Sequence, residues 1–247
     1  MKIKIVSLNI EGDKHLPEVI GLIDKERPDV VCLQEVFEED FKMLVDRFNM
    51  RGFFAPMVLV DRPGKPGFRK NGVFGVAMIG KLPGKFGIGY YFKRRTQKLP
   101  AYGGKPNSAN RVLVWQKIDG GPTVATTHFT WSKNGQITQK QRRELASLLK
   151  LLDKLRPDVV CGDFNAPRGN EIWSAISERL IDNIPPEAKT TLDPNLHYSH
   201  GVKLVVDGFF TSSTSKIMVK SLKLIDKASD HLAVSAIMQD IQNPFDS

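Results

Sequence analysis

The stretch Arg156-Pro157-Asp158-Val159-Val160-Cys161-Gly162-Asp163-Phe164-Asn165 is a short apolar run that ends abruptly in a carboxylate, an aromatic ring and an amide. It reads as a buried strand that delivers polar groups to its C-terminal edge. Consecutive apolar residues suit a strand covered on both faces, Pro157 separates it from the helical segment before it, and Gly162 permits close backbone approach. A near-copy lies earlier in the chain. Arg27-Pro28-Asp29-Val30-Val31-Cys32-Leu33-Gln34-Glu35 repeats the first six residues, follows a similar helical segment and also ends in a carboxylate, that of Glu35. The echo favours two related α/β halves over a coincidence of strand chemistry, with two carboxylates aimed at a common site.

The chain has 247 residues, 41% hydrophobic and 26% charged, which suits one large α/β domain spanning residues 1–247. Both cysteines fall in the apolar runs just quoted, where a thiol behaves as a small hydrophobe. Two free core thiols in a reducing compartment are therefore expected rather than a disulfide or a metal pair. Lys2 and Lys4 interrupt the first apolar positions, no small-residue cleavage site follows, and no apolar run is long enough to span a bilayer. The expectation is a cytoplasmic protein without stable membrane insertion, acting as a monomer.

The net charge of +9 is uneven: residues 57–120 hold thirteen Lys and Arg against two Asp and Glu, so this segment accounts for the whole excess. It is also rich in Gly and Pro, in Arg62-Pro63-Gly64-Lys65-Pro66-Gly67-Phe68-Arg69-Lys70, in Lys93-Arg94-Arg95 and from Lys98 to Asn110. Basic loops of this kind suit a polyanionic partner, while a solvated surface that keeps the protein soluble is the plainer alternative.

Hydrophobic periodicity predicts strands over 2–9, 55–60, 71–79, 87–92, 111–118, 123–129, 203–210, 218–224 and 232–238, beside the two echoed runs. It predicts helices over 16–25, 38–48, 136–155 and 170–180, with Asp119-Gly120-Gly121-Pro122 as a hairpin turn. Many strands with few, well-separated helices imply a four-layer αββα sandwich of two mixed β-sheets flanked by helices. Asn9, Glu35, His128, Asp163, Asn165, Asp207, Asp230 and His231 nearly all follow strand-like runs. Singly, each is more often a turn former or a satisfied half-buried group. Together, carboxylates, amides and histidines in a basic setting suit hydrolysis at a phosphate with a hard divalent cation.

Leu8-Asn9, Leu33-Gln34-Glu35-Val36, Thr127-His128-Phe129, Gly162-Asp163-Phe164-Asn165, Val206-Asp207-Gly208-Phe209-Phe210 and Ser229-Asp230-His231 resemble, in order, the motif series of the endonuclease/exonuclease/phosphatase superfamily. Gly75-Val76-Ala77-Met78 and Asn110-Arg111-Val112 also resemble family strands around the site. The resemblance implies a deoxyribonuclease I-like sandwich with a Mg²⁺- or Mn²⁺-dependent site at one end of its central sheets. It implies Glu35 as the main metal ligand, with Asn9 and Asp230 holding metal waters or Glu35 itself. Asp163 orients or deprotonates the attacking water, and Asn165 hydrogen-bonds the phosphate or that water. His231 faces a phosphate oxygen as base or electrostatic stabiliser, Asp207 fixes its tautomer, and His128 stabilises developing charge.

The series departs from the abasic-site endonucleases, because no tryptophan follows Leu8-Asn9 and His128 stands where those enzymes have tyrosine. A histidine there is similar to the pancreatic deoxyribonuclease, sphingomyelinase and 5′-tyrosyl-DNA phosphodiesterase branches. Arg111, Arg168 and Trp131 are the expected substrate contacts, with core packing the competing role for Trp131. The expectation is a nuclease or nucleic-acid phosphodiesterase acting on DNA. A hydrolase of small or lipid phosphoesters is the alternative, and a non-catalytic scaffold is disfavoured by the intact polar set.

Overall fold

The repeated hexapeptide builds the same turn twice. Helix α1 (Leu16–Glu26) ends where Arg27 enters the left-handed region at φ 48°, its N–H still reaching the Ile23 carbonyl. Helix α3 (Gln139–Leu155) ends the same way at Arg156, φ 50°, on the Leu152 carbonyl. The proline that follows cannot extend the helix. The aspartate after it then fastens two strands together. Asp29 Oδ2 accepts the Lys4 N–H at 2.8 Å, and Asp158 Oδ2 accepts that of Thr123 at 2.7 Å. The Asp29 and Asp158 carbonyls likewise accept the N–H groups of Lys81 and Ser212, each at 2.9 Å.

The computed structural model describes residues 1–62, 67–92, 98–102 and 109–241. Pro63 to Lys65, Lys93-Arg94-Arg95 and Lys105 of the basic loops lie outside the described residues. The first sheet contains β1 (Lys2–Asn9), β2 (Val30–Phe37), β3 (Arg51–Val60), β4 (Gly72–Gly80), β11 (Ile217–Ile225) and β12 (Ala233–Asp240), in the order β11-β12-β1-β2-β4-β3. The second contains β5 (Gly84–Phe92), β6 (Arg111–Ile118), β7 (Thr123–His128), β8 (Val159–Asp163), β9 (Ile181–Asp182) and β10 (Asp207–Thr211), in the order β5-β6-β7-β8-β10-β9. Both are mixed, with one parallel pair each, β1 with β2 and β7 with β8. The two orders correspond strand for strand: β1-α1-β2 matches β7-α3-β8, and β4-β3 matches β10-β9. This is the relation that the echoed hexapeptide predicts.

Alternation along the strands makes the layers. Val6, Leu8, Val31 and Leu33 face outward onto Val19, Leu22 and Ile23 of α1 and Leu44 of α2 (Glu38–Phe48). Ile3, Ile5, Val30 and Cys32 face inward and share a core with Val112, Val114, Val160 and Cys161, which continues to Leu148 of α3 and Trp173 of α4 (Glu171–Ser177). The result is the expected αββα sandwich. Both cysteines are buried free thiols. Toward the C-terminal ends of the parallel strands the inner faces turn polar: Gln34 Nε2 donates across the sheets to Thr126 Oγ1 at 2.9 Å and lies 3.4 Å from Ser7 Oγ. Gly162, at φ 136°, is required here, since a Cβ would lie 2.1 Å from the Thr127 carbonyl oxygen.

Several bounds shift, among them the starts of β3 and β5, at Arg51 and Gly84, and the end of α4, at Ser177. Strand β10 starts at Asp207 rather than residue 203, because Leu204 and Val205 hydrogen-bond to Thr191 and Arg168 outside any ladder. Helix α3 starts at Gln139, where Thr138 and Gln141 form a capping box. The two-residue β9 is too short to show periodicity. No described helix is long and apolar enough to cross a membrane.

Equivalent turns should carry equivalent energy. Asp29→Ala and Asp158→Ala are each expected to lower unfolding stability by about 1–3 kcal/mol, the cost of losing hydrogen bonds to a charged acceptor. Asp158→Ala should be the more damaging, because Asp158 Oδ1 also takes the Ser215 hydroxyl at 2.7 Å; denaturant unfolding of both variants checks the ranking.

Candidate active site

Parallel pairing sends the ends of β1, β2, β7 and β8 to one edge of the sandwich, and the polar residues predicted from sequence arrive there. His128 and Asp163 end paired strands, Asp207 opens β10 opposite Asp163, and Asp230-His231 precede β12. Glu35 reaches the edge by a bulge. Register slips between Leu33 and Val36, and Glu35 takes the left-handed conformation at φ 56°. A non-glycine residue pays a steric penalty there, and such strain persists where surrounding contacts enforce it. Asn165 is in the same region at φ 48°.

Asp163 is the hub. Its Oδ1 accepts the Asn165 N–H at 2.7 Å, and its Oδ2 accepts Asn9 Nδ2 at 3.0 Å and Asn165 Nδ2 at 3.1 Å. His128 Nε2 sits between two carboxylates, 3.5 Å from Asp163 Oδ2 and 3.6 Å from Glu35 Oε1. His231 Nδ1 bonds Asp207 Oδ2 at 2.8 Å, which leaves Nε2 turned toward Asp163 Oδ2 at 4.0 Å. Asn165 Nδ2 also reaches the Phe129 carbonyl at 3.1 Å, so both of its amide hydrogens are engaged within the protein.

The electrostatics are strongly perturbed. Glu35 keeps 24% of its side chain exposed. Burial of the rest pushes its carboxyl up to about 7, Asp230 and Asp163 push the same way, and His231 and Asn9 only partly oppose them. Asp163 is pushed up to about 6 by burial and by Asp207, against His231 and the hydrogen bonds from Asn165 and Asn9. Burial disfavours a charged His231, yet Asp207, Asp230 and Asp163 outweigh it and hold the ring well above the usual histidine range. His128 is driven well below that range by burial, Arg111 and His231, and is neutral. Opposed shifts packed this closely mark functional sites.

Asp163, Asp207 and His231 bring ligand-type atoms within 4.8 Å of one another, a grouping able to hold a metal ion. Two of its members already neutralise each other, however, and a protonated imidazole is no ligand. The uncompensated negative charge lies instead at Glu35, toward Asp230 and Asn9.

These groups line a cavity of about 560 Å³. Arg111 also lines it, buried and donating Nη1 to the His128 carbonyl at 3.2 Å, and Trp131 lines it while 36% exposed. Arg168 is not among the lining residues. Its guanidinium turns to Asp182 and the carbonyls of Ile184 and Pro185, which corrects its assignment as a substrate contact. The sequence reading missed Lys14, Tyr102, His197 and Tyr198, which also line the cavity. None follows a strand-like run, so strand-end reasoning had no signal for them.

The Endonuclease/Exonuclease/phosphatase family model matches residues 6–231. Nocturnin of Drosophila melanogaster is 27% identical over 187 residues, which cover 69% of this chain and 26% of that protein. The chain thus spans about a quarter of the length of the curated relative it matches. The human Nocturnin catalytic domain with bound sulfate superposes with a TM-score of 0.69 at 19% identity, covering 97% of this chain and 94% of that one. A mannosyl-6-phosphatase of Bacteroides thetaiotaomicron gives 0.64 at 16%, covering 96% and 99%. At these identities the two structures speak for the fold.

The crowding at Glu35 has a sign. A carboxyl whose pKa rises on folding binds its proton more tightly in the native state, so metal-free stability is expected to fall as pH rises from about 4.5 to about 7. Glu35→Gln should reduce that fall, leaving the share that Asp163 contributes below about pH 6, and raise metal-free stability above pH 7 by about 1–3 kcal/mol. Thermal unfolding in EDTA across this range measures it.

Proposed function

Because the chain belongs to the endonuclease/exonuclease/phosphatase family, we propose that it is a divalent-metal-dependent phosphoric ester hydrolase, a nuclease or nucleic-acid phosphodiesterase that directs water in line at phosphorus. The observation that carries this reading is the buried excess of carboxylate beside a protonated histidine. Glu35 is raised to about 7 by burial and by Asp230 and Asp163, an imbalance that a hard cation relieves. Glu35, with Asn9 and Asp230, would hold Mg²⁺ or Mn²⁺. When bound, the ion supplies positive charge to the phosphate oxygens.

The chain's own residues do the rest. Asp163, pushed up to about 6 by burial, is a stronger base than an ordinary aspartate and orients the attacking water. Asn165 acts through its carbonyl oxygen, since its amide hydrogens hold Asp163 and the Phe129 carbonyl. His231, fixed by Asp207 with Nε2 free to donate, stabilises charge on a phosphate oxygen rather than accepting a proton. His128 is neutral and donates to the leaving or non-bridging oxygen. Arg111 contributes fixed positive charge, and Trp131 offers a face on which a base can stack. Basic segments between residues 57 and 120 favour nucleic acid, with DNA as the first candidate. We take residues 1–247 as one catalytic unit working as a monomer, and the buried free thiols Cys32 and Cys161 fit a reducing, cytoplasmic setting.

A second reading rests on the cavity. About 560 Å³ with Met57, Phe68, Phe74 and Tyr102 in its wall is the size and character of a small-ligand pocket, which suits a small phosphoester.

The two readings part in one assay: hydrolysis of single- and double-stranded DNA, a small diester and a monoester, with and without EDTA. Metal-dependent DNA cleavage is expected, and cleavage of small esters alone would install the second reading. His231→Ala and Asp163→Ala should each lose at least about 10²-fold in turnover, and a near-normal rate in either would remove the mechanism. Glu35→Gln should raise the Mg²⁺ concentration needed for half-maximal rate; an unchanged metal titration would reassign the ligand.

A further inference from the structure

The segment between β9 and β10 carries a histidine, His197, whose position is fixed by backbone and side-chain hydrogen bonds. Its backbone is fastened to the segment just before β12 that carries Asp230 and His231. The N–H groups of Leu232 and Asp193 bond the carbonyls of Thr191 and Asp230 at 2.7 and 2.8 Å, and Leu192 bridges His231. Asp193, fully buried, winds the next turn. Its Oδ1 accepts the N–H groups of Asn195 and Leu196, its Oδ2 accepts that of Lys227 at 2.9 Å, and its carbonyl accepts that of His197 at 3.0 Å. The turn sets His197 in the cavity wall, its ring edge-on to His231 with centroids 6.2 Å apart and 4.6 Å from the Tyr198 ring.

The protonation of this ring is dictated locally. His197 Nδ1 lies 3.2 Å from the Ser199 N–H, which donates to it, so Nδ1 is the bare nitrogen and the proton resides on Nε2. Burial, together with the charge of His231, also disfavours the cationic ring, against Asp230. The ring therefore presents a neutral Nε2–H donor beside His231 without adding charge.

We propose that His197 is a substrate-binding residue whose Nε2–H donates to a phosphoryl oxygen of the bound ester, beside the one that His231 faces. A neutral donor suits this place, since a further cation would offset the negative charge that Glu35 and Asp230 direct at a divalent ion. The contact forms with the phosphoryl group itself, so it serves diesters, monoesters and the phosphate product alike. The proposal rests on the phosphoester reading, yet its binding part can be read without turnover.

Long-range ¹⁵N-histidine spectra of the whole chain, with Mg²⁺ and increasing inorganic phosphate, test it. His197 is expected as the Nε2–H tautomer, with that resonance moving as phosphate binds. His197→Ala should raise KM for bis(p-nitrophenyl) phosphate and for p-nitrophenyl phosphate alike by about 3- to 10-fold, the worth of one neutral hydrogen bond, with kcat within about twofold. His197→Gln, which keeps a donor, should recover most of the loss, and His197→Phe, which keeps only the ring, should not. An Nδ1–H tautomer, resonances unmoved at saturating phosphate, or a His197→Phe variant equal to the parent would overturn the assignment, as would a KM change confined to one ester class. If the chain hydrolyses none of these esters and phosphate still moves the resonance, the hydrolase reading fails and the phosphate contact stands.

Discussion

Four carboxylates, those of Glu35, Asp163, Asp207 and Asp230, are brought to one end of two sheets where water is largely excluded. Burial makes each negative charge expensive, and the local cations compensate only part of the set. Asp207 is matched by His231 at 2.8 Å and is thereby satisfied. Asp163 is held by two amides, a backbone N–H and the more distant His231. Glu35 retains the deficit, which burial and its two carboxylate neighbours express as a pKa near 7. The arrangement divides the edge into two compartments, one internally neutral and organised around His231, the other short of positive charge and suited to a hard cation.

The scaffold explains how such an unfavourable cluster is sustained. Each half supplies a parallel strand pair clamped by an aspartate after a left-handed helix end, Asp29 in one and Asp158 in the other. Those clamps lie at the opposite ends of the strands from the site. They fix register, and register decides that His128 stands beside Asp163 and Asp207 opposite it. Closer to the edge, Gln34 ties the sheets through Thr126, directly before the bulge that turns Glu35 inward. Without the bulge, strict alternation would send Glu35 to the outer face with Leu33.

Much of this was legible because strand chemistry is periodic. The echoed Arg-Pro-Asp-Val-Val-Cys segments announced paired halves, and the polar residues that end apolar runs announced the edge where they converge. What escaped depends on backbone geometry rather than residue type. Arg168 follows Asn165 closely, yet Asn165 is left-handed and the Arg168 N–H bonds the Val205 carbonyl, after which the side chain turns to Asp182. The sequence places Asn165 against the phosphate or the attacking water, but does not show that its amide hydrogens are held by Asp163 and the Phe129 carbonyl. The 191–199 segment has no periodicity at all; isolated backbone hydrogen bonds position it, and sequence patterns do not register those. Residues 203–206 form an apolar run like a strand but make similarly scattered bonds, which is why β10 is shorter than its pattern.

The central claim is that the carboxylate crowding at Glu35 exists to receive a divalent cation. Proton release on metal binding tests it most directly, by calorimetric titration of Mg²⁺ or Mn²⁺ at pH 6.5 in buffers of different ionisation enthalpy. A carboxyl with a pKa near 7 is mostly protonated there and must lose its proton to become a ligand, so roughly three-quarters of a proton per bound ion is predicted for the parent chain. In Glu35→Gln most of that release should vanish. Metal binding with no proton released, or the same release from both proteins, would contradict the account.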